Sequence, residues 1–306
     1  MTATKRKAKA SPRTNIRRGV SFQGYLAIKA INASSCRVGM TSMQHMHHEI
    51  TTSQAERDET FSRAKQFGRL AHMCILEPIR FEREIYIWDD ARTGKEWFAY
   101  RDACGGKENV VSQEDYDRLW NMRDALKRHD HGRMLLASGS SEVVIKWRDE
   151  MYGEAKAMID KTRGNRIYDY KTTRALGPDG ETFKRDAERY GYLEQMGWYA
   201  HGYEIATGLF PIVAVIAQES RAPYAVGVFE VSHGQLREDY KTYRDVATRY
   251  HTCTKMNLFP GPCPDVMALE RPSSLEGLSS LDTEGVIHSD PNLMTIEESI
   301  ACGFTA

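Results

Sequence analysis

The amino-acid sequence predicts an α/β protein in which a mixed central β-sheet is flanked by helices. Three patterns lead to this prediction: helical periodicity before residue 140, short strand-like runs over 141–173, and alternating helix and strand patterns up to residue 250. Strands that are followed by a helix and further strands are typical of a mixed sheet with helices packed against it. The chain has 306 residues, 41% of them hydrophobic and 27% charged, which is enough to bury a core without disulfide bonds.

Two amphipathic helices are predicted before the sheet. Over residues 58–76, apolar residues recur every three or four positions from Phe61 onward, and Pro78 follows the last of them. This spacing gives a helix one apolar stripe that can face a core. A second helix is predicted over 113–136, with an interruption at Gly132.

The middle of the chain changes to the period of strands. Three short runs separated by turn-forming residues predict an antiparallel meander over 141–147, 153–160 and 165–173. The remaining predicted elements are one long helix over about 181–206, strands over 210–218 and 224–231, and a helix over 232–250. The sheet is therefore expected to combine antiparallel and parallel pairs.

Charge is balanced overall but unevenly distributed. The chain has 42 lysines and arginines against 42 acids, yet residues 1–18 carry seven basic side chains and no acid. Residues 265–306 carry eight acids against one arginine. Such compositions are typical of solvated tails, although a basic tail can also contact a polyanion and an acidic tail a partner. We therefore predict a basic, flexible tail over 1–24, a folded domain over 25–262 and an acidic, flexible tail over 263–306.

The composition also disfavours several classes of protein. No run approaches the roughly 20 apolar residues of a membrane-spanning helix, and the basic first residues lack the apolar stretch of a secretory signal. The six cysteines include no C-x-x-C pair, which argues against a zinc ribbon and a disulfide framework. A cytoplasmic protein that does not contact membranes is expected.

Acidic side chains and a lysine coincide in the predicted meander. Asp169 and Lys171 are two residues apart in one strand, so their side chains project to the same face. Asp160 ends the preceding strand, across a short turn, and Glu142 begins the first strand. Carboxylates that converge repel one another unless a cation lies among them, and Mg²⁺ or Mn²⁺ prefers oxygen ligands. The pattern predicts a metal site that can hydrolyse phosphodiesters, with the lysine beside the attacking water.

An ordinary structural explanation of the same residues remains open. Turns favour polar residues, so Asp160 and Asp169 can flank a hairpin without a common role. Lys171 can equally be a surface ion-pair partner. The spacing alone does not separate these two interpretations.

The same stretch resembles a known nuclease motif. The string GEAKAMIDKTRGNRIYDYKTT is similar to the motif of PD-(D/E)xK nucleases, with Asp160 as the first acid, Asp169 as the second and Lys171 as the lysine. Ile159 stands where the motif has proline. The resemblance implies a restriction-endonuclease-like core built on a mixed central β-sheet.

Three further segments resemble the family in the same order. GRLAHMCILEP is similar to an upstream helix of the RecB-like and RecE-like branches, which makes His72 the counterpart of their active-site histidine. SSEVVIKW resembles the segment that carries an additional glutamate, here Glu142. YGYLEQMGWY resembles the helix of the glutamine motif, here Gln195, with Tyr192 one turn before it.

Residues 25–260 as a whole resemble RecE-type, exonuclease VIII-like proteins of phages and prophages. The opening YLAIKAINASSCRVGMTSMQHM and the stretch RTGKEWFAY add to this likeness, and Arg92 and Lys95 in the latter are candidates for gripping the DNA backbone. An ordinary surface loop is the alternative there. The resemblance implies two Mg²⁺ or Mn²⁺ ions and degradation of one strand of linear double-stranded DNA from its 5′ end. It also implies a homo-oligomeric ring that passes the exposed strand to a single-strand annealing protein.

The resemblance assigns roles residue by residue. Asp160 and Asp169 are expected to bind metal, Lys171 to orient the nucleophilic water, and Glu142 to act as a ligand or supporting acid. His72 is expected to bind a metal or the scissile phosphate, unless it is a satisfied core histidine.

Gln195 is expected to hold Lys171 or the water by hydrogen bonds, unless it is simply one of the ordinary polar residues of the helix. Tyr192 is a candidate DNA contact. Two other functions remain open: a RecB-like nuclease that acts on single strands or on DNA ends, and an inactive fold that only binds DNA ends.

Overall fold

The computed structural model describes residues 15–52 and 62–263. Within these residues, the chain forms eight strands and ten α-helices. The strands are β1 (Asn15–Arg17), β2 (Tyr86–Ile87), β3 (Val110–Val111), β4 (Ser140–Asp149), β5 (Gly153–Arg163), β6 (Arg166–Thr173), β7 (Ile212–Glu219) and β8 (Val226–Val231). The helices are α1 (Phe22–Leu26), α2 (Ala33–Thr41), α3 (Met43–Thr51), α4 (Arg63–Leu76), α5 (Pro78–Glu84), α6 (Gly94–Ala103), α7 (Gln113–Arg128), α8 (Glu181–Tyr190), α9 (Tyr192–Thr207) and α10 (His233–Met256).

A six-stranded mixed sheet forms the centre of the fold, in the order β1-β4-β5-β6-β7-β8. β6 and β7 run parallel, and every other neighbouring pair in this sheet is antiparallel. Parallel neighbouring strands need a long crossover connection, which is usually helical. Between β6 and β7, α8 and α9 form this crossover. The predicted α/β class and mixed sheet are confirmed. A small parallel sheet of β2 and β3 lies outside the central one.

The central sheet buries both of its faces, and the alternation of side chains along β6 and β7 divides the core. Ile167 and Val215 face a cluster with α2, α3, α8, α9 and α10. Tyr168 and Ala214, one residue removed in each strand, face a second cluster with α4, α5 and α7. The site described below therefore lies between two helical layers.

Local capping explains where the helices next to the site begin. The Ser62 hydroxyl accepts a hydrogen bond from the Lys65 N–H at the start of α4, and Pro78 occupies the first turn of α5. A serine cap satisfies an N–H that the helix leaves unpaired, and proline there loses no helical hydrogen bond. No helix in the described part of the chain combines the length and apolar character needed to cross a lipid bilayer.

The structure corrects the single long helix predicted over 181–206. Two helices are present, because Gly191 adopts a left-handed conformation with φ of 68° between α8 and α9. Its N–H bonds back to carbonyls of α8, which is a common way to end a helix. The apolar periodicity continues across the break, so the pattern gave no sign of it.

Other boundaries differ by smaller amounts. α7 ends at Arg128, and the predicted interruption at Gly132 is the start of a separate 3₁₀ turn over Gly132–Leu135. The predicted residues 58–61 lie outside the described residues, and α4 begins at Arg63.

The predicted tail over 1–24 also needs correction in part. β1 lies within it and pairs antiparallel with β4 at the edge of the sheet, and α1 begins at Phe22. Part of this segment therefore belongs to the folded domain. The sequence did not predict β1, because a strand at the edge of a sheet is held by backbone hydrogen bonds, which need no apolar pattern. Residues 1–14 and 264–306 lie outside the described residues, so the two predicted tails otherwise stay predictions.

Candidate active site

The candidate acids lie where neighbouring strands stop pairing. β5 and β6 are paired only near their hairpin, and the last pair before the site joins Lys161 to Tyr168. The strands then separate at Asp160 and Asp169. In place of a ladder bond, the Tyr170 N–H donates a hydrogen bond to the Asp160 carboxylate (N to Oδ2, 2.8 Å). The separation leaves room for polar side chains while the backbone donor keeps a partner.

Glu142 joins the site through a local distortion of β4. The ladder pairs on either side of it, at Ser141 and Val143, put Glu142 opposite Asp160 in β5, but the two do not form a pair themselves. Glu142 has a positive φ of 51°. This conformation is uncommon for a residue with a side chain and is often found at functional sites, where the surrounding structure offsets its cost.

His72 reaches the same place from α4. Its Nδ1 lies 3.5 Å from Asp160 Oδ2, and its ring meets the Tyr170 ring edge-on with centroids 5.1 Å apart. α4 packs against the face of the sheet that carries Tyr168 and Tyr170. The histidine thus approaches the acids from α4, the helix that carries the upstream motif.

Asp169 and Lys171 form a buried ion pair beside this group. Lys171 Nζ is 2.7 Å from Asp169 Oδ2, and the Asp169 side chain is 1% exposed. The two side chains share one face of β6, as their spacing predicts. The ammonium also lies 4.8 Å from the centroid of the Tyr192 ring on α9.

Three of the candidate residues could hold a metal ion together. His72, Glu142 and Asp160 each offer one ligand atom, and these atoms lie within 4.8 Å of one another. One imidazole nitrogen and two carboxylate oxygens form a donor set that suits a divalent cation, and the carboxylates favour Mg²⁺ or Mn²⁺. Asp169 is not in this group, and its carboxylate is paired with Lys171. Its role as a ligand stays a prediction.

The electrostatics of the acids fit a site that is built for a cation. Burial, and then the charge of Asp160, raise the pKa of Glu142 to about 8. Burial also raises the pKa of Asp169 to about 6, although Lys171 acts in the opposite direction. Burial likewise raises the pKa of Asp160. Carboxylates that resist ionisation when no cation is present gain a favourable partner when one binds.

The two basic groups differ in protonation. Burial, and then the positive charge of Lys171, lower the pKa of His72 to about 4, so the imidazole is neutral near pH 7 and can act as a ligand. Burial would lower the pKa of Lys171, but Asp169 and Asp160 outweigh it and the pKa is raised. Lys171 therefore remains an ammonium that can donate hydrogen bonds.

The glutamine motif lies on the neighbouring helix but makes a different contact from the one expected. Gln195 Nε2 donates to the Tyr199 hydroxyl (2.7 Å), one turn further along α9. Burial, and then the charge of Asp169, raise the pKa of Tyr199 well above its usual value. Gln195 is thus hydrogen-bonded to a tyrosine whose pKa is affected by the charge of Asp169. A direct hydrogen bond from Gln195 to Lys171 or to the water stays a prediction.

Arg92 and Lys95 belong to another part of the domain. The Arg92 guanidinium donates to the Val110 carbonyl (3.2 Å) and lies 5.4 Å from the centroid of a Trp97 ring. Lys95 is exposed in the first turn of α6. Within the described residues, neither side chain contacts the acids, so their role in DNA binding stays a prediction.

Two residues near the site were not singled out from the sequence. The charge of Glu77, after burial and Asp160, adds to the raised pKa of Glu142, and its own carboxylate holds Arg80 at 3.0 Å. Tyr170 supplies the N–H that fixes Asp160. Glu77 could have been identified from the sequence, because it lies in the same upstream motif as His72. Tyr170 could not, because it contributes its backbone N–H, which every residue except proline has.

The sheet and the site together define a class of protein. A mixed sheet flanked by helices, acids where its strands separate, and a lysine two residues after the second acid are the features of PD-(D/E)xK nucleases. The chain belongs to the family described as a PDDEXK-like domain of unknown function (DUF3799), whose family model matches residues 38–271. Family and fold together support a hydrolytic nuclease.

Comparison with solved structures gives the same fold. The chain resembles a protein from Eubacterium rectale named "putative exonuclease", with a TM-score of 0.57 and 12% sequence identity. The similarity covers 86% of this chain and 97% of that one. At this level of identity the likeness shows the fold alone. No curated protein matches the sequence.

Proposed function

We propose that this protein is a metal-dependent exodeoxyribonuclease that degrades linear double-stranded DNA from its 5′ ends. The observation that carries the proposal is the group of His72, Glu142 and Asp160, with ligand atoms within 4.8 Å of one another, beside the Asp169–Lys171 pair. A histidine, several acids and a buried ammonium around one point are suited to bind cations and a phosphodiester. Products with exposed single strands suit recombination by strand annealing.

The chain's own residues prepare hydrolysis in defined ways. Divalent ions bound by His72, Glu142 and Asp160, with Asp169 a further candidate, would supply charge that stabilises the phosphoryl oxygens and lowers the pKa of water. Asp160 is held in position by the Tyr170 N–H. Lys171, kept protonated by Asp169 and Asp160, can donate a hydrogen bond to the attacking water. The water oxygen forms the new bond to phosphorus and its proton passes to the solvent. The ester bond between phosphorus and the leaving oxygen breaks, and that oxygen takes up a proton.

The direction of degradation and the partners rest on resemblance. The opening of the chain and RTGKEWFAY are similar to RecE-type proteins, and the similar solved protein is named "putative exonuclease". On this basis we also propose a homo-oligomeric ring and transfer of the exposed strand to an annealing protein. Light scattering of the purified chain tests the ring: a closed oligomer is expected, and a monomer at all concentrations contradicts it.

End-labelled DNA tests the activity. Linear duplexes labelled at the 5′ or 3′ end, single strands and closed circles are incubated with Mg²⁺ or EDTA, using the intact chain and Asp160→Asn. We expect 5′ label to be released first from linear duplex, only with Mg²⁺ and only by the intact chain. Preference for single strands supports the RecB-like alternative. Cleavage of circles contradicts an exonuclease, and binding without any cleavage supports an inactive end-binding module.

A further inference from the structure

A surface of arginines and tyrosines leads away from the candidate active site. We call Arg37, Arg189, Tyr190 and Tyr192 the arginine–tyrosine surface. Tyr192 begins at the site, with its ring centroid 4.8 Å from Lys171 Nζ. The Tyr190 ring follows, with centroids 5.9 Å apart and an interplanar angle of 35°. Aromatic rings thus extend from the buried ammonium to the exterior, where Tyr190 is 40% exposed.

Two guanidinium groups border the outer tyrosine. Arg37 and Arg189 place their Cζ atoms 5.7 and 5.6 Å from the Tyr190 ring centroid. These distances are near the outer limit of a cation–π contact, so the ring keeps open surface. Arg37 also donates to the Arg189 carbonyl (Nη2 to O, 3.1 Å), which ties α2 to the end of α8.

Neither guanidinium forms a direct ion pair within the described residues. Both side chains are exposed, and in the described part of the chain neither lies within 4.0 Å of a carboxylate oxygen. Arg80, Arg118 and Arg244, by contrast, each have an acidic partner. The Glu194 carboxylate lies near Arg37, since a Cβ on Gly191 would be 3.6 Å from Glu194 Oε2 and 3.8 Å from Arg37 Cδ, but it forms no ion pair with either guanidinium. Two positive charges without a direct partner at an exposed ring favour a ligand with both negative charge and flat apolar faces.

The surface continues into a groove and is held in place by the fold. Arg37 lines a groove of about 310 Å³ together with Val38, Thr41 and His45. The left-handed Gly191 separates the two tyrosines, and a Cβ there would lie 3.0 Å from the Tyr243 hydroxyl and 3.8 Å from Arg37 Cδ. The break between α8 and α9 therefore places Tyr190 at the end of one helix and Tyr192 at the start of the next, with Arg37 beside the glycine.

We propose that the arginine–tyrosine surface binds an unpaired DNA strand that is continuous with the scissile phosphate. The guanidinium groups would pair with backbone phosphates, and the rings would stack on bases, which is how single strands are commonly bound. A duplex hides its base faces, so it can use the charges but not the rings. The proposal rests on the proposed function for the position of the scissile phosphate, but binding itself needs no catalysis.

Fluorescence anisotropy in EDTA separates strand binding from hydrolysis. A labelled 12-nucleotide oligothymidylate and a blunt 12-base-pair duplex are titrated with the full chain and its variants. Tyr190→Ala should bind the single strand about tenfold more weakly, while Tyr190→Phe, which keeps the ring, should bind within about twofold of the intact chain. Arg37→Ala should lower the slope of log affinity against log salt by about 0.7.

The matched control is Arg148→Ala, which removes one exposed arginine at the opposite end of β4 from Glu142. Its affinity and salt slope should equal those of the intact chain. Wild-type affinity in both Tyr190→Ala and Arg37→Ala overturns the proposal, as does equal weakening for duplex and single strand, or a wild-type chain that does not bind the oligothymidylate. A chain that fails to hydrolyse DNA with Mg²⁺ but shows the expected binding losses refutes the proposed function and leaves the strand-binding role of the arginine–tyrosine surface in place.

Discussion

At the scale of single residues, the site brings three carboxylates together in surroundings that disfavour their ionised forms. Glu142, Asp160 and Asp169 all have a raised pKa, and burial is the first cause in each case. Glu142 also has an uncommon backbone conformation. Clusters of this kind lower the stability of a fold and are kept where activity requires them.

Glu142→Gln should therefore stabilise the metal-free protein at alkaline pH. The folded-state pKa of Glu142 is about 8, above its usual value of 4.5. In the folded chain the side chain stays protonated until the pH approaches 8, whereas in the unfolded chain it ionises above about pH 4.5. Its contribution to stability is therefore fully present below pH 4.5 and is lost as the pH rises through 8. The variant keeps a neutral side chain at every pH, so at pH 8 its free energy of unfolding should exceed that of the intact chain by roughly 4 kcal/mol.

Urea unfolding in EDTA at pH 5 and pH 8 measures this effect, and the difference between the two proteins should shrink at pH 5. Mg²⁺ serves as the control, because an ion that binds only the folded state raises its stability. The intact chain should gain more from Mg²⁺ than Glu142→Gln. A variant that is less stable than the intact chain at pH 8 in EDTA contradicts this description of the site.

Lys171→Met should abolish most of the cleavage while leaving DNA binding intact. The ammonium is held by Asp169 at 2.7 Å, and removing one donor that acts on the reacting groups typically costs about 100-fold or more in turnover. Lys127→Met is the matched control, because it breaks a lysine–aspartate pair of 2.6 Å on the surface of α7. Initial rates and binding in EDTA are compared; near-normal turnover of Lys171→Met rules out a catalytic role.

Part of the site's geometry could be predicted at this scale and part could not. Side-chain alternation was sufficient to place Asp169 and Lys171 on one face, and the hairpin was sufficient to bring Asp160 near them. The positive φ of Glu142 and the separation of β5 from β6 could not be predicted, because they depend on how the strands pack. For the same reason, the sequence did not show that Asp169 would pair with Lys171 rather than join the group of His72, Glu142 and Asp160.

At the scale of secondary-structure elements, the sheet was easier to predict than the helices around it. The strands of the meander are short runs bounded by turn-forming residues, and their predicted order agrees with β4, β5 and β6. β4 runs two residues and β5 three residues beyond their predicted ends, so Asp160 lies inside β5 and not at its end. The break at Gly191 was missed, because glycine inside an apolar pattern is compatible with a continuous helix. α6 was not predicted, since Trp97 is its only buried residue among those described, and one apolar residue makes no stripe.

Packing between α9 and α10 gives a prediction at this scale. A Cβ on Gly197 would lie 2.6 Å from the Tyr240 backbone nitrogen and 2.7 Å from the Leu236 carbonyl oxygen. Neither backbone atom can move aside alone, so Gly197→Ala should lower the free energy of unfolding by about 2 kcal/mol or more. Gly234→Ala is the matched control.

In α10, a Cβ on Gly234 would meet only Ser232 Oγ at 3.9 Å, and alanine favours a helix over glycine by about 0.5–1 kcal/mol. Gly234→Ala should therefore be as stable as the intact chain or more so. Thermal unfolding distinguishes the two variants, and equal stability would show that α9 and α10 are not in close backbone contact.

At the scale of the whole molecule, the net charge is zero, so long-range attraction does not identify DNA as a ligand. DNA is indicated instead by the side chains around the candidate active site. A sheet buried on both faces brings residues from α4, β4, β5 and β6 together where its strands separate, and the arginine–tyrosine surface lies beside that point. The motifs that resemble the family span the same elements, which is why the fold class and the family could be predicted from the sequence although α6 and the break at Gly191 could not.

The central claim is that this point is a metal-dependent nuclease centre. The most direct measurement is the initial rate of hydrolysis of 5′-labelled linear duplex DNA over a Mg²⁺ titration, for the intact chain and Asp160→Asn. We predict no cleavage in EDTA, a rate that rises and saturates with Mg²⁺ in the intact chain, and a rate at least about 100-fold lower for the variant at saturating Mg²⁺. Cleavage by the intact chain that persists in EDTA, or full activity of Asp160→Asn, contradicts the claim.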